Sequence, residues 1–204
     1  RDLHYPLRRQ RQMCIRDRKS SSHRQKGKLS CEEEAEMARR KLQFPEGIVD
    51  CINATRSGGT ILIAGNAADC NGMAIGWISI GSIWGRPSCT VLVRESRHTF
   101  GYMEKNGTFT VNVLDGGFAE AVNLFGTESG RDMDKFDATG LTKAAGVAVE
   151  CPHIAEADYV IECRTAFKSP MDPALVSADY VKGCYGSGDY HTCYYGEIVA
   201  IHAE

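Results

Sequence analysis

The sequence predicts a mainly β protein, a β-barrel carrying a few short peripheral helices. Short β-branched runs recur along the chain, as in Thr60 to Ala64, Cys89 to Val93 and Thr108 to Val113, with turn residues between them. Beyond residues 30–54, segments with helical signals are few and brief. A composition of 43% hydrophobic and 25% charged residues suits one domain with its own core. No apolar run approaches the length of a membrane span.

Residues 1–29 read as a basic tail and 30–204 as the domain. Residues 1–30 hold ten Lys/Arg against two Asp/Glu, whereas the other 174 hold fourteen against twenty-four. A basic arm would suit nucleic acid or a membrane surface, but the acidic body repels both, so neither is expected as a partner. The tail itself reads as not native, because Met13-Cys14-Ile15-Arg16-Asp17-Arg18 is similar to translated sequencing-adapter sequence. An Arg- and Ser-rich transit peptide is the rival reading. Disorder is the expectation for both, and no secretory apolar region is present.

Residues 30–54 predict a helix with Ser30 as N-cap and Glu32, Glu33 and Glu34 in its first turn. Pro45 should split it in two. The second piece should bury Ile48, Val49 and Ile52 and end at Gly58-Gly59. Thr60 to Ala64 is a strand, 65–69 a turn, and the chain extends again through Met73 and Trp77. Cys89 to Val93 should be buried on nearly both faces. Thr99 to Asn106 predicts a short helix stopped by Asn106-Gly107. Phe118 to Phe125 predicts another, ending at Gly126. Tyr159 to Arg164 and Thr192 to His202 are strands, and 168–188 reads as a long loop able to cover a site. Trp77 and Trp84 are expected as core or dimer-interface aromatics.

Nine cysteines form no Cys-x-x-Cys pair. They predict small core residues in a reducing cytoplasm, with no metal site. The histidines at 4, 23, 98, 153 and 202 show no metal spacing. The glycines spell neither a Walker nor a Rossmann fingerprint.

Two stretches point to chemistry. Asn71-Gly72-Met73-Ala74-Ile75-Gly76-Trp77 is an extended small-residue segment, where a flat ligand could meet backbone amides, with Gly72, Ala74 and Gly76 as close-approach positions. Seventeen residues after Trp77 begins Arg94-Glu95-Ser96-Arg97-His98-Thr99, at a strand end leading into a helix start. Arg94 and Arg97 could pair with phosphate oxygens, and Thr99 could add a hydroxyl. Flavin mononucleotide (FMN) is one ligand that needs both surfaces. Downstream, the glycine-bounded polar loop 126–136 can place Ser129 and Lys135 near a phosphate or a ribityl chain; a solvated Asp132–Lys135 pair is the alternative.

These stretches, with Gly130-Arg131-Asp132-Met133-Asp134-Lys135-Phe136 and Asp189-Tyr190-His191-Thr192 ahead of Gly196-Glu197-Ile198, resemble the flavin reductase-like, FMN-binding family that includes flavoredoxins. The resemblance runs from about Thr60 to the C-terminus. It implies an FMN-binding split β-barrel, usually a homodimer, with Lys135 as a cofactor contact. His191 would be placed to meet the flavin or an incoming nicotinamide. The chain departs from the family pattern at Ala74, Glu95, His98 and Glu128, where relatives often carry Thr or Ser, Pro, Tyr and Lys. The implied activity is a cytoplasmic flavin reductase or flavoredoxin-like electron carrier. It would take a hydride from NAD(P)H or another donor and pass electrons to an unknown acceptor. An FMN-binding storage or sensor module without turnover is the alternative.

Overall fold

The computed structural model describes residues 39–57 and 59–203. The basic tail and the predicted helix start at Ser30 lie outside the described residues. Where the first helical piece should run towards Pro45, residues 40 and 41 instead form a strand, β1 (Arg40–Lys41). Its partner is the end of the last strand, with Arg40 opposite Ala203 and Lys41 opposite His202. The next residue, Leu42, donates its N–H to the Ile201 carbonyl at 2.9 Å and is buried. A sheet edge with free hydrogen-bonding groups outweighs a local helical pattern. Helix α1 (Ile48–Ser57) follows the turn at 44–47. It buries Ile48, Cys51 and Thr55, spaced to share one helical stripe, and leaves Val49 69% exposed. The predicted inward stripe of Ile48, Val49 and Ile52 is thus rotated.

Seven antiparallel strands follow one hydrogen-bonded path. They are β2 (Thr60–Gly65), β3 (Cys70–Ala74), β4 (Ile78–Ile83), β5 (Arg86–Arg94), β6 (Thr108–Val113), β9 (Tyr159–Pro170) and β10 (His191–Ala203). Their order is β3-β2-β6-β9-β10-β5-β4, with β3 and β4 at the two ends. Among the described residues no ladder joins those ends, so the hydrogen bonding does not close the barrel. The sheet nevertheless coils around one core: Leu62 and Ala64 of β2, Val91 and Val93 of β5, Phe109 and Val111 of β6, and Tyr194 of β10 belong to a single buried cluster. Register shifts between Tyr195 and Gly196, and between Ile198 and Ala200, help the long β9–β10 pair bend.

Strand β2 is buried throughout because both its faces are covered. Ile61 and Ile63 face a second cluster, made by α3 (Ala119–Thr127), α4 (Lys135–Thr139) and the 141–157 segment with its hairpin β7 (Lys143–Ala144) and β8 (His153–Ile154). Helix α2 (His98–Asn106) ends at Gly107, whose φ of 62° is the left-handed stop the Asn-Gly pair predicts. Strand β5 differs from expectation: Cys89, Val91 and Val93 are buried, but Thr90 and Leu92 are only half-buried. The predicted loop at 168–188 is also more ordered than its composition suggests. Strand β9 runs to Pro170, a 3₁₀ turn occupies Pro173–Leu175, and helix α5 spans Ala178–Cys184. Neither tryptophan is in the core. Trp84 is 69% exposed at the tip of the β4–β5 hairpin, and Trp77 is 43% exposed after β3.

Candidate functional site

Three chain segments converge on a polar cavity of about 150 Å³. The first is the start of α2, which contributes Ser96, Arg97, His98 and Thr99. The second is β3, through Asn71 and Met73; the third is the loop from Thr127 to Arg131, with Lys135 behind it. Asn71 Nδ2 donates to Thr99 Oγ1 at 2.7 Å, so these two predicted site residues are joined and buried. A Cβ on Gly130 would sit 2.0 Å from Asn71 Oδ1, so only glycine lets the loop lie against Asn71. Ser129 Oγ accepts from the Arg131 N–H at 3.2 Å, which shapes the loop tip.

The cavity's charge is strongly positive. Arg97, Arg131 and Lys135 line it against the single carboxylate of Glu128. Lys135 is only 4% exposed; its ammonium donates to the carbonyls of Phe125 at 3.3 Å and Glu128 at 3.2 Å rather than pairing with Asp132. Burial, reinforced by the Arg97 charge, pulls its pKa down to about 8. Helix α2 adds to the field, since its first turn opens on the cavity and Arg97 makes no side-chain cap there.

Arg94 stands apart from this group. Its guanidinium donates to the carbonyls of Asp189 at 2.6 Å and Cys184 at 3.0 Å, and lies over the Tyr185 ring. The second arginine of the polar cavity is therefore Arg131, whose Nη1 donates to the Ser96 carbonyl at 3.3 Å. The 94–97 spacing along a strand end sends the two side chains to different neighbours. In sequence, Arg131 is marked by its place in a glycine-bounded loop and in the 130–136 stretch that carries the resemblance, with no role assigned to it.

A second cavity of about 180 Å³ adjoins the first, sharing Met73 and Arg97. Residues 73–77 line it, together with Leu92, Arg94 and His191. Gly76 has nothing within 4 Å of its would-be Cβ and offers open backbone. Gly72 serves packing instead, because a Cβ there would meet Phe125 Cε1 at 2.7 Å. Ala74 is half-buried against the cluster under α3. His191 Nδ1 is 2.8 Å from the Tyr185 hydroxyl, and its ring centroid is 4.9 Å from that of Trp77. Burial, with Arg94 nearby, lowers the His191 pKa to about 4, so it is a neutral imidazole at pH 7. Tyr185 and Trp77 carry no clear sequence signal for this role; only the fold sets them beside His191.

Among the described residues, His153, Glu162 and His202 are close enough to share a cation. Glu162 and His202 are already engaged, whereas His153 Nδ1 is buried with no hydrogen-bond partner among the described residues. Glu162 accepts from the N–H groups of Val147, Ala148 and Val149 at 2.6–3.1 Å and from His202 Nε2 at 2.9 Å. Arg39 Nε donates to His202 Nδ1 at 3.0 Å, which leaves Nε2 as the protonated nitrogen facing Glu162. Glu162, held by His202, clamps the 147–149 turn. The cysteines at 51, 89, 151 and 163 are buried and free, as packing residues would be. No helix among the described residues is long and apolar enough to cross a membrane.

A 58-residue stretch is 40% identical to an uncharacterized protein of Deinococcus radiodurans; it covers 28% of this chain, and the chain spans about a quarter (26%) of that relative. Flavoredoxin from Methanosarcina acetivorans is 26% identical with a TM-score of 0.57, covering 71% of this chain and 67% of that one. Flavoredoxin of Desulfovibrio vulgaris (Miyazaki F) is 23% identical with a TM-score of 0.56, covering 71% and 68%. The NADH:FAD oxidoreductase SgcE6 of Streptomyces globisporus matches in fold, at 20% identity and a TM-score of 0.54 over 81% and 88% of the two chains. The flavin reductase like domain model matches residues 53–204, and the chain belongs to that family.

Proposed function

We propose that this protein binds FMN and works as a flavin reductase or flavoredoxin-like electron carrier. The observation that carries the reading is the pair of adjoining cavities, one cationic and one floored by residues 73–77. A phosphate suits the first. Arg97, Arg131 and Lys135 supply charge-assisted hydrogen bonds, and the α2 N-terminus and Thr99 supply further polar contacts. A buried ammonium held by two carbonyls and the face of the Phe125 ring is an incomplete environment that an anion would complete. An isoalloxazine suits the second, where Met73 to Gly76 present backbone and Trp77 an aromatic face. In this reading Arg94 positions the neighbouring segment rather than the phosphate.

Bound flavin would supply the two-electron chemistry. The chain's own groups orient, anchor and tune. The neutral His191 imidazole, fixed at Nδ1 by Tyr185, has Nε2 left to exchange a hydrogen bond with whatever occupies the ring-side cavity. Arg97 and Arg94 favour negative charge developing there. NAD(P)H enters as a transient co-substrate, the sheet is read as a split barrel, and the protein as a homodimer.

The purified chain is expected to take up FMN and show its absorbance at about 450 nm. Arg97→Ala should weaken binding by about 1.5–3 kcal/mol, the scale of a charged hydrogen bond. Fluorescence titration of both proteins measures this, and equal affinities would place the phosphate elsewhere. Anaerobic bleaching by NADH or NADPH tests turnover directly.

A further inference from the structure

A third cavity, of about 790 Å³, lies beside the ring-side one and shares Trp77 and Leu92 with it. Its floor is the register pair Leu92 and Cys193 on β5 and β10. Its roof is the segment after β9, lined by the half-buried Met171 and Val176 and the largely exposed Tyr180. We propose that this cavity binds a neutral, largely apolar small molecule, next to the ring-side cavity. Its role as the electron acceptor's site rests on the flavin reading above; the binding itself does not.

The chemistry of the walls argues for that class. The size is that of a site for a small organic ligand. No Lys or Arg lines the cavity, and Asp172 is its one charged residue. That carboxylate is occupied as a helix cap, accepting from the Ala174 N–H at 2.9 Å. A nucleotide's phosphates would meet no cation and one anion here, so NAD(P)H is disfavoured. Beyond Asp172, side-chain hydrogen-bonding groups are sparse: Ser169, two thiols, two tyrosine hydroxyls and the Trp77 indole N–H. Aromatic and aliphatic walls with few polar groups select a neutral ring compound such as a quinone.

The roof is held over this space by few contacts. Arg94 ties down the carbonyls of Cys184 and Asp189, Ser96 Oγ donates to Asp189 Oδ2 at 2.7 Å, and Met171 N–H donates to the His191 carbonyl. These anchors also run to the start of α2 and to His191, so the roof and the ring-side cavity share their supports.

Duroquinone serves as the probe, because its ring is fully substituted and does not add thiols. Its binding is followed by quenching of Trp77 in a Trp84→Phe background. Saturable quenching is expected with duroquinone and none with an anionic anthraquinone sulfonate. Cys193→Phe, which fills the floor, and Leu175→Asp, which charges the 84% exposed rim, should each weaken duroquinone binding by about tenfold. FMN affinity should stay the same in both variants. Absence of saturable quenching, or equal binding by both variants, overturns the proposal. So does a chain that sediments as a dimer, binds no quinone, and becomes monomeric on Leu175→Asp, since a second copy then covers the cavity. Duroquinone binding by a chain that takes up no FMN would uphold the cavity and remove the flavin reading alone.

Discussion

Lys135 carries a pH signature that falls just above neutrality. Its pKa is about 8 in the folded chain, against an ordinary 10.5, because burial and Arg97 both penalise its charge. A bound phosphate would stabilise the ammonium and raise that value. Anion affinity should therefore be fully developed below pH 8 and fall as pH rises through it, as the free protein loses the proton the complex needs. FMN titrations from pH 7 to pH 9.5 measure this, and Lys135→Met should flatten the profile. Sequence reasoning found Lys135, Arg97, Asn71, Thr99 and Ser129, and the fold gathers all five around one cavity. It could not find Arg131 or separate Arg94, because a side chain's direction at a strand end depends on neighbours distant in sequence. Asp189 and Cys184 lie 95 and 90 residues beyond Arg94.

At the scale of elements, β3 and α3 are fitted to each other at Gly72. The Phe125 ring is 1% exposed and cannot retreat from a new methyl group. Gly72→Ala should destabilise the protein by about 1–3 kcal/mol, the cost of overpacking a filled core. Urea denaturation checks this; a change within error would mean that α3 can shift. The strands were legible because runs such as Thr60 to Ala64 carry β-branched character whether one face or both are buried. The helix expected before Pro45 failed for the complementary reason. Residues 40 and 41 have a partner in Ala203 and His202, which no local pattern reveals. The 168–188 segment was misread because Pro and Gly mark turns but do not exclude short helices between them.

Across the whole molecule, acid should unfold this protein early. His153 and His191 are buried, and each has its pKa lowered from 6.5 to about 4, mainly by burial. The unfolded chain binds protons that the folded one refuses, so stability is intact above pH 6.5 and is lost as pH falls towards 4. Each histidine adds a slope approaching about 1.4 kcal/mol per pH unit in that window. Glu162 acts in the same sense further down. Burial pushes its pKa up, but hydrogen bonds from His202 and the Val147 and Ala148 N–H groups outweigh that and hold it below the usual carboxylate value. Stability measured at pH 7 and pH 5 should differ clearly, and His153→Phe should narrow the difference.

By itself the sequence determined the β class, most strand positions, the Asn-Gly helix stop and about half of the residues around the polar cavity. These follow from side-chain period, turn chemistry and short spacings, which are local properties. Tertiary structure alone decided which arginine joins Arg97, that Gly72 serves Phe125 while Gly76 stays open, and that Trp77 and Tyr185 meet His191. Each of those depends on contacts between strands and loops far apart in the chain, set by the sheet's pairing order and the coil of its strands.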